Sequence, residues 1–234
     1  MRSEPPKPPQ TTLAESAYDG LRRDIVSGAF LPDMPLRMAF LCERYGMGMS
    51  PVREALNRLQ AEGLATAIPL RGFFVAPLNP AELIDTTDMR VLIETEALRR
   101  SIERGDEDWA QGLRNALDML LSVPEGEDPE PLHHAFHLHL IAACGSRRLL
   151  ESFEKLYAEA ERYRYGALHS PPEAGGRAPA TEHRAIAEAT LARDTALAVS
   201  LLERHYRRTA EDQLLRMPEP AAPKPKRRNT RVRP

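Results

Sequence analysis

The run from Gly46 to Leu64, GMGMSPVREALNRLQAEGL, leaves little choice of local structure. Ser50 belongs to the side chains that cap helix N-termini, and Pro51 suits a first helical position, where a missing N–H costs nothing. Val52, Ala55, Leu56 and Leu59 recur at helical spacing, which leaves Arg53, Asn57, Arg58 and Gln60 outside the apolar stripe. Gly63 supplies the stop. A helix with one buried stripe and a guanidinium near its start suits a DNA major groove, where arginine pairs bidentately with guanine edges or phosphate. The competing reading is a solvated helix face.

The flanking residues favour the first reading. Leu13, Ala17, Leu21 and Ile25 repeat at i+4 and predict a helix from Leu13 to Ser27, ended by Gly28. Leu31-Pro32 makes a turn, and Ala39 to Arg44 supplies a second, short helix before Gly46. After Leu64, Ala65 to Ile68 and Phe73 to Ala76 read as two extended pieces joined by Pro69-Leu70-Arg71-Gly72. Three helices and a small hairpin make a winged helix-turn-helix. Its wing tip carries Arg71 beside the flexible Gly72, placed to meet phosphates or the adjacent minor groove.

From Thr11 to Leu78 the chain resembles the GntR family of bacterial transcription regulators, on the strength of L-C-E-R-Y-G, S-P-V-R-E-A-L-N-R-L-Q-A-E-G-L and R-G-F-F-V. The resemblance implies that Arg53 is the recognition-helix arginine and Arg71-Gly72 the wing, with double-stranded DNA as the partner. The chain departs from the family at three positions. Asp33 stands where a glycine usually follows proline, and Gly48 and Met49 replace the usual Ser/Thr and Arg before the recognition helix. The load then rests more on Arg53, Arg58 and Arg71.

Charge divides the chain of 234 residues into three. Residues 1–78 carry nine Lys/Arg against eight Asp/Glu, residues 79–217 carry 17 against 25, and residues 218–234 carry six against one. The reading part is therefore only weakly basic and its non-specific DNA affinity modest and salt-sensitive, while the acidic middle is ill suited to lie on DNA. The first ten residues and the basic tail 218–234, both rich in proline, read as disordered. There is no secretory signal or membrane-length apolar run, so a cytoplasmic location without membrane contact is expected. Cys42 and Cys144 read as reduced thiols, not a disulfide framework.

Residues 79–217 read as all helix, with segments Pro80–Arg104, Asp108–Ser122, Pro131–Cys144, Ser146–Leu168, Pro179–Arg193 and Asp194–Met217. The fold class expected is mainly α: residues 11–78 a winged helix, residues 79–217 a helical bundle for ligand binding and dimerisation.

Four of the seven histidines fall on inward stripes of this bundle. His133 and His137 are one turn apart, on the face of Leu140, Ile141 and Cys144. His183 shares a stripe with Ile186, Ala187, Thr190 and Leu191, and His205 one with Leu197, Leu201 and Leu202. Buried imidazoles need partners, and a divalent cation would satisfy all four together. Alternatively each is a hydrogen-bonded core residue. His134, His139 and His169 lie off these stripes.

This second part resembles the FCD effector domain, which follows the winged helix in the FadR-type branch of the same family. The resemblance rests on Arg90 to Glu94, Phe136-His137, Glu182-His183-Arg184 to Ile186, Arg193-Asp194 and His205. It implies metal ligation by His137, His183 and His205, with His133 at the position of an aspartate. An all-imidazole set favours Zn²⁺ or Ni²⁺ over Mn²⁺ or Mg²⁺. Arg90 has two readings, an internal pair with Glu94 or a clamp for an effector carboxylate.

These readings converge on a homodimeric transcription regulator, not an enzyme, that binds a palindromic operator and responds to a small effector, an organic acid, seated at a metal. The alternatives are a metal-dependent hydrolase, or a dimerising module whose DNA reader has decayed at Gly48 and Met49.

Overall fold

The structure is a computed structural model that describes residues 12–124, 126–168 and 178–217. The tails expected to be disordered, His169 and residues 170–177, between the segments expected as helices Ser146–Leu168 and Pro179–Arg193, lie outside these residues. Among the described residues the elements are nine helices and one small sheet.

α1 (Leu13–Val26) is capped by Thr12, whose hydroxyl accepts from the Glu15 amide at 3.1 Å. β1 (Pro35–Leu36) precedes α2 (Met38–Tyr45), which ends on Gly46 in the left-handed region at φ 64°. α3 (Met49–Ala61) follows at once, and β2 (Ala65–Ile68) and β3 (Gly72–Val75) form the wing. The sheet is antiparallel in the order β1-β3-β2, with Leu36 opposite Phe73 and Ala65 opposite Val75. β1 extends the expected hairpin. At two residues it is too short to show alternation in a sequence.

α3 corrects one expectation. Its N-cap is Gly48, with extended backbone and no side-chain cap, so Ser50 lies inside the first turn instead of capping it. Pro51 still fits there, because the first four helical N–H groups have no intrahelical acceptor. The aspartate-for-glycine departure also gains a reason: Asp33 has φ 64°, a conformation that glycine adopts freely and aspartate tolerates. At the wing tip Leu70 has φ 62° and is fully exposed, a strained position held by the hairpin on either side.

Leu21, Leu41, Val52, Leu56 and Leu59 are fully buried and tie α1, α2 and α3 into one core. A second core joins the remaining helices, α4 (Pro80–Arg104), α5 (Glu107–Leu121), α6 (Glu130–Ile141), α7 (Arg147–Leu168), α8 (Pro179–Leu191) and α9 (Thr195–Arg216). Asn79, Asp106 and Asp194 cap α4, α5 and α9 through their side chains. Phe136 and Phe153 are the largest fully buried side chains of this core. α6 stops at Ile141, three residues short of expectation, because the chain turns to put Gly145 at φ 67°. Leu197, expected inward beside His205, is 49% exposed: in the first turn of α9 it is the neighbouring Ala198 that faces the core. No helix among the described residues is long and apolar enough to cross a membrane.

Candidate functional site

α6, α8 and α9 bring four imidazoles to one point. His133 and His137 come from successive turns of α6, His183 from α8 and His205 from α9, and one ligand atom from each lies within 4.8 Å of the others. His137, His183 and His205 are buried and His133 half-buried.

The rings are fixed from behind. The Tyr157 hydroxyl donates to Glu130 Oε1 at 2.6 Å, which commits its single proton, so at 2.7 Å from His133 Nδ1 its oxygen accepts. Tyr206 repeats the arrangement: its hydroxyl donates to Glu94 and accepts from His137 Nδ1 at 3.0 Å. Glu182 Oε2 accepts from His205 Nδ1 at 2.8 Å. Each Nδ1 thus carries the proton, and each Nε2 is left with a lone pair. The Nε2 atoms of His133 and His137 then face each other at 3.2 Å, acceptor against acceptor. That contact is unfavourable between two neutral rings and is relieved by a cation between them. Two nitrogens on a tetrahedral ion with Zn–N of about 2.0–2.1 Å lie about 3.3 Å apart, so the donor set fits such an ion.

Electrostatics agree. Burial, then the neighbouring imidazoles and Arg90, hold His137 well below its ordinary value, so it stays neutral as a ligand must. Burial and the adjacent Glu94 push the Tyr206 phenol far up, so it keeps its proton. Tyr206→Phe removes the acceptor behind His137 and leaves most of the packing. Zn²⁺ affinity measured by chelator competition is expected to fall about 10–100-fold, as loss of an outer-shell partner typically does. Unchanged affinity would mean that His137 does not ligate through Nε2.

Arg90 donates from Nε to Glu94 Oε1 at 2.7 Å, with both side chains buried. Its guanidinium lies 4.1 Å from the Tyr206 ring centroid and 5.4 Å from that of Tyr157. It therefore stands behind the two phenols that support His137 and His133. Tyr157, Tyr206, Glu130 and Glu182 are not legible as partners in the sequence. Glu182 adjoins His183 yet serves His205, since successive helical residues point to different sides. His134 lies off the centre and pairs with Glu154 at 2.9 Å, and His139 bonds the Ala135 carbonyl at 2.7 Å.

The other expected residues gather on α3 and the wing. Arg53, Arg71 and Gly72 line one groove of about 700 Å³ together with Arg37, which no sequence motif marks. The Arg71 guanidinium lies 5.2 Å from the Phe74 ring centroid, which steadies the wing tip. Ser50 and Asn57 are exposed on α3. Arg58 is placed differently: it covers the Tyr18 ring at 3.6 Å and bonds Glu62 Oε1 at 3.3 Å, toward α1 and the far end of α3.

α7 touches both regions. Tyr157 backs His133; one turn on, Glu161 pairs with Arg22 of α1, and Arg162 donates to the Gly63 carbonyl, just beyond the C-terminus of α3, at 3.0 Å.

Known proteins share both parts. Residues 13–75 match the gntR family of bacterial regulatory proteins, and residues 85–208 match the FCD domain. The HTH-type transcriptional repressor GlaR of Escherichia coli K12 is 34% identical over 204 residues, covering 83% of this chain and 93% of that protein. The uncharacterized regulator BphR of Paraburkholderia xenovorans is 33% identical over 204 residues, covering 83% of this chain and 82% of its own. Among solved structures, E. coli McbR/YncC superposes with a TM-score of 0.73 at 21% identity, covering 88% of this chain and 99% of that one. A winged helix followed by an FCD bundle, matched in sequence and in fold, places this chain in the GntR family of bacterial transcription regulators, whose members bind DNA and are not enzymes.

Proposed function

We propose that this regulator is a metal-dependent, ligand-responsive repressor. Two copies grip a palindromic operator, each presenting α3 to a major groove and its wing to the flanking backbone. Arg53 and Asn57 read bases. Ser50, Arg37, Arg71 and the Gly72 backbone meet phosphates, and Arg58 braces α3 against α1. His133, His137, His183 and His205 hold one divalent ion, Zn²⁺ or Ni²⁺ by their all-nitrogen chemistry. A small organic acid binds beside that ion, with Arg90 fixing the phenols behind the ligands. The protein works in the cytoplasm, where its DNA is.

The observation that carries the metal half is the pair of Nε2 lone pairs of His133 and His137 turned on each other at 3.2 Å, each ring held there by a tyrosine. An ion held by these four rings would supply the positive centre for an anionic ligand; the chain's own residues orient the rings and pass the change along. A ligand that shifts His133 pulls on Tyr157, and α7 carries that displacement to Arg22 and to the Gly63 carbonyl. A coupling of about 1–3 kcal/mol would switch operator occupancy usefully.

Elemental analysis of protein purified without chelator, paired with gel shifts on the DNA upstream of its own gene, tests both halves. One ion per chain and a retarded duplex are expected. A metal-free preparation that takes up neither Zn²⁺ nor Ni²⁺ removes the metal half, and no shift at low salt removes the DNA half.

A further inference from the structure

A pocket of about 230 Å³ opens beside the histidine centre. His133 and His183 belong to its wall, so a molecule in it meets two of the four imidazoles directly. Among the described residues the rest of the wall is mostly apolar: Leu120 and Leu121 at the end of α5, Pro129 ahead of α6, and Pro179 and Ala180 at the start of α8, with Glu130 as its one carboxylate. Leu120 packs on the bundle core, whereas Leu121 is half-buried at the pocket without belonging to that cluster. One end of this pocket is thus built for a metal-binding head, and the remainder removes apolar surface from water.

Charge around the centre defines the head. Four neutral imidazoles leave both charges of a divalent ion in place. Two carboxylates support it from one group away, Glu182 behind His205 and Glu130 behind Tyr157, and Glu130 also lines the pocket while its Oε1 accepts from the Tyr157 hydroxyl. Glu94 is paired with Arg90. An anionic oxygen brought directly to the ion is therefore favoured, and one carboxylate supplies it. A second carboxylate would meet leucine, proline and alanine, where burying it without a partner costs more than leaving it in water, and the one charged group of that wall, Glu130, would repel it.

We infer that the effector is a carboxylic acid with a compact apolar body, a short aliphatic or aromatic acid in preference to a dicarboxylic or sugar acid. This rests on the metal-anchored reading above. His133 and His183 receive the head, and Leu120, Leu121, Pro129 and Ala180 select the body.

Calorimetric titration of the full, zinc-loaded chain with sodium acetate, butyrate and hexanoate, and with glutarate, tests it. Affinity is expected to rise about fourfold for each methylene buried, until the chain outgrows the pocket. Glutarate is expected to bind more weakly than hexanoate. Leu121→Lys, which adds a cation at a half-buried position, is expected to weaken hexanoate about tenfold and to strengthen glutarate. A flat aliphatic series, tighter binding of glutarate by the unaltered chain, or no heat from any acid overturns the inference. Metal-free His183→Ala protein separates the two layers. If it binds hexanoate as the zinc-loaded protein does, metal anchoring fails while the apolar selection stands. If binding needs zinc but glutarate wins, only the apolar selection fails.

Discussion

Arg53→Ala is expected to weaken operator binding by about thirtyfold to twenty-thousandfold. A good bidentate contact to a base is worth about 1–3 kcal/mol, and the proposed two-fold symmetric complex would lose it once in each half-site. Arg53 is exposed in the first half of α3, while Val52, Ala55 and Leu56 beside it are buried, so the change removes a surface side chain and leaves the core intact. Fluorescence anisotropy on the upstream duplex at one fixed salt concentration measures it. Arg37→Ala and Arg71→Ala make a different signature. Both residues line the groove shared with Arg53 and fit phosphates. Each is therefore expected to weaken all duplexes alike and to shallow the salt slope by about one for every phosphate no longer neutralised. Arg58→Ala is expected to cost helix bracing more than recognition, because its guanidinium lies on Tyr18 and Glu62. Wild-type affinity in Arg53→Ala would move the reading surface elsewhere and revive the idea of a decayed reader.

The contrast between Arg53 and Arg58 marks what a sequence discloses. Periodicity says which residues leave the apolar stripe, and both arginines do. It does not say which neighbour waits on the outside, and for Arg58 that neighbour is the Tyr18 ring, 40 positions earlier in the chain. The same limit separates the histidines from their supports. His133 and His137 are legible because an i, i+4 pair on a buried stripe is a local pattern, and His183 and His205 sit on stripes of their own. The phenols of Tyr157 and Tyr206 act across helices, and nothing in the local spacing distinguishes them from other aromatic side chains of the core. Helix starts are legible where Asn79, Asp106 and Asp194 cap through their side chains. They are misleading at α3, where a backbone glycine does the work and Ser50 only resembles a cap. β1 needs the wing opposite it to exist at all.

His183→Ala and His205→Ala are expected to reduce Zn²⁺ affinity by more than about a hundredfold each, since loss of an outer-shell partner alone costs up to that much. The consequence for stability is large. An ion present at about a thousand times its dissociation constant stabilises the fold by about 4 kcal/mol, or roughly 8–16 °C of melting temperature for a chain of this size. Chelation of the wild type is expected to lower the melting temperature by that amount, and chelation of either variant to change it little. The pH dependence has a fixed sign. His137 is held well below its ordinary value of 6.5 by burial, so the folded chain leaves it neutral while the unfolded chain protonates it as pH falls. Its contribution is fully present above about pH 6.5 and is lost progressively below, as unfolding comes to take up a proton. Proton competition for the same lone pairs weakens metal binding in the same direction. Melting curves of loaded and metal-free protein between pH 5 and 8 should therefore converge toward the acid end, with the free metal concentration held constant (about a thousand times the neutral-pH dissociation constant). Curves that stay parallel through pH 5 would show that these imidazoles do not carry the ion, and the four rings would then be hydrogen-bonded members of the core.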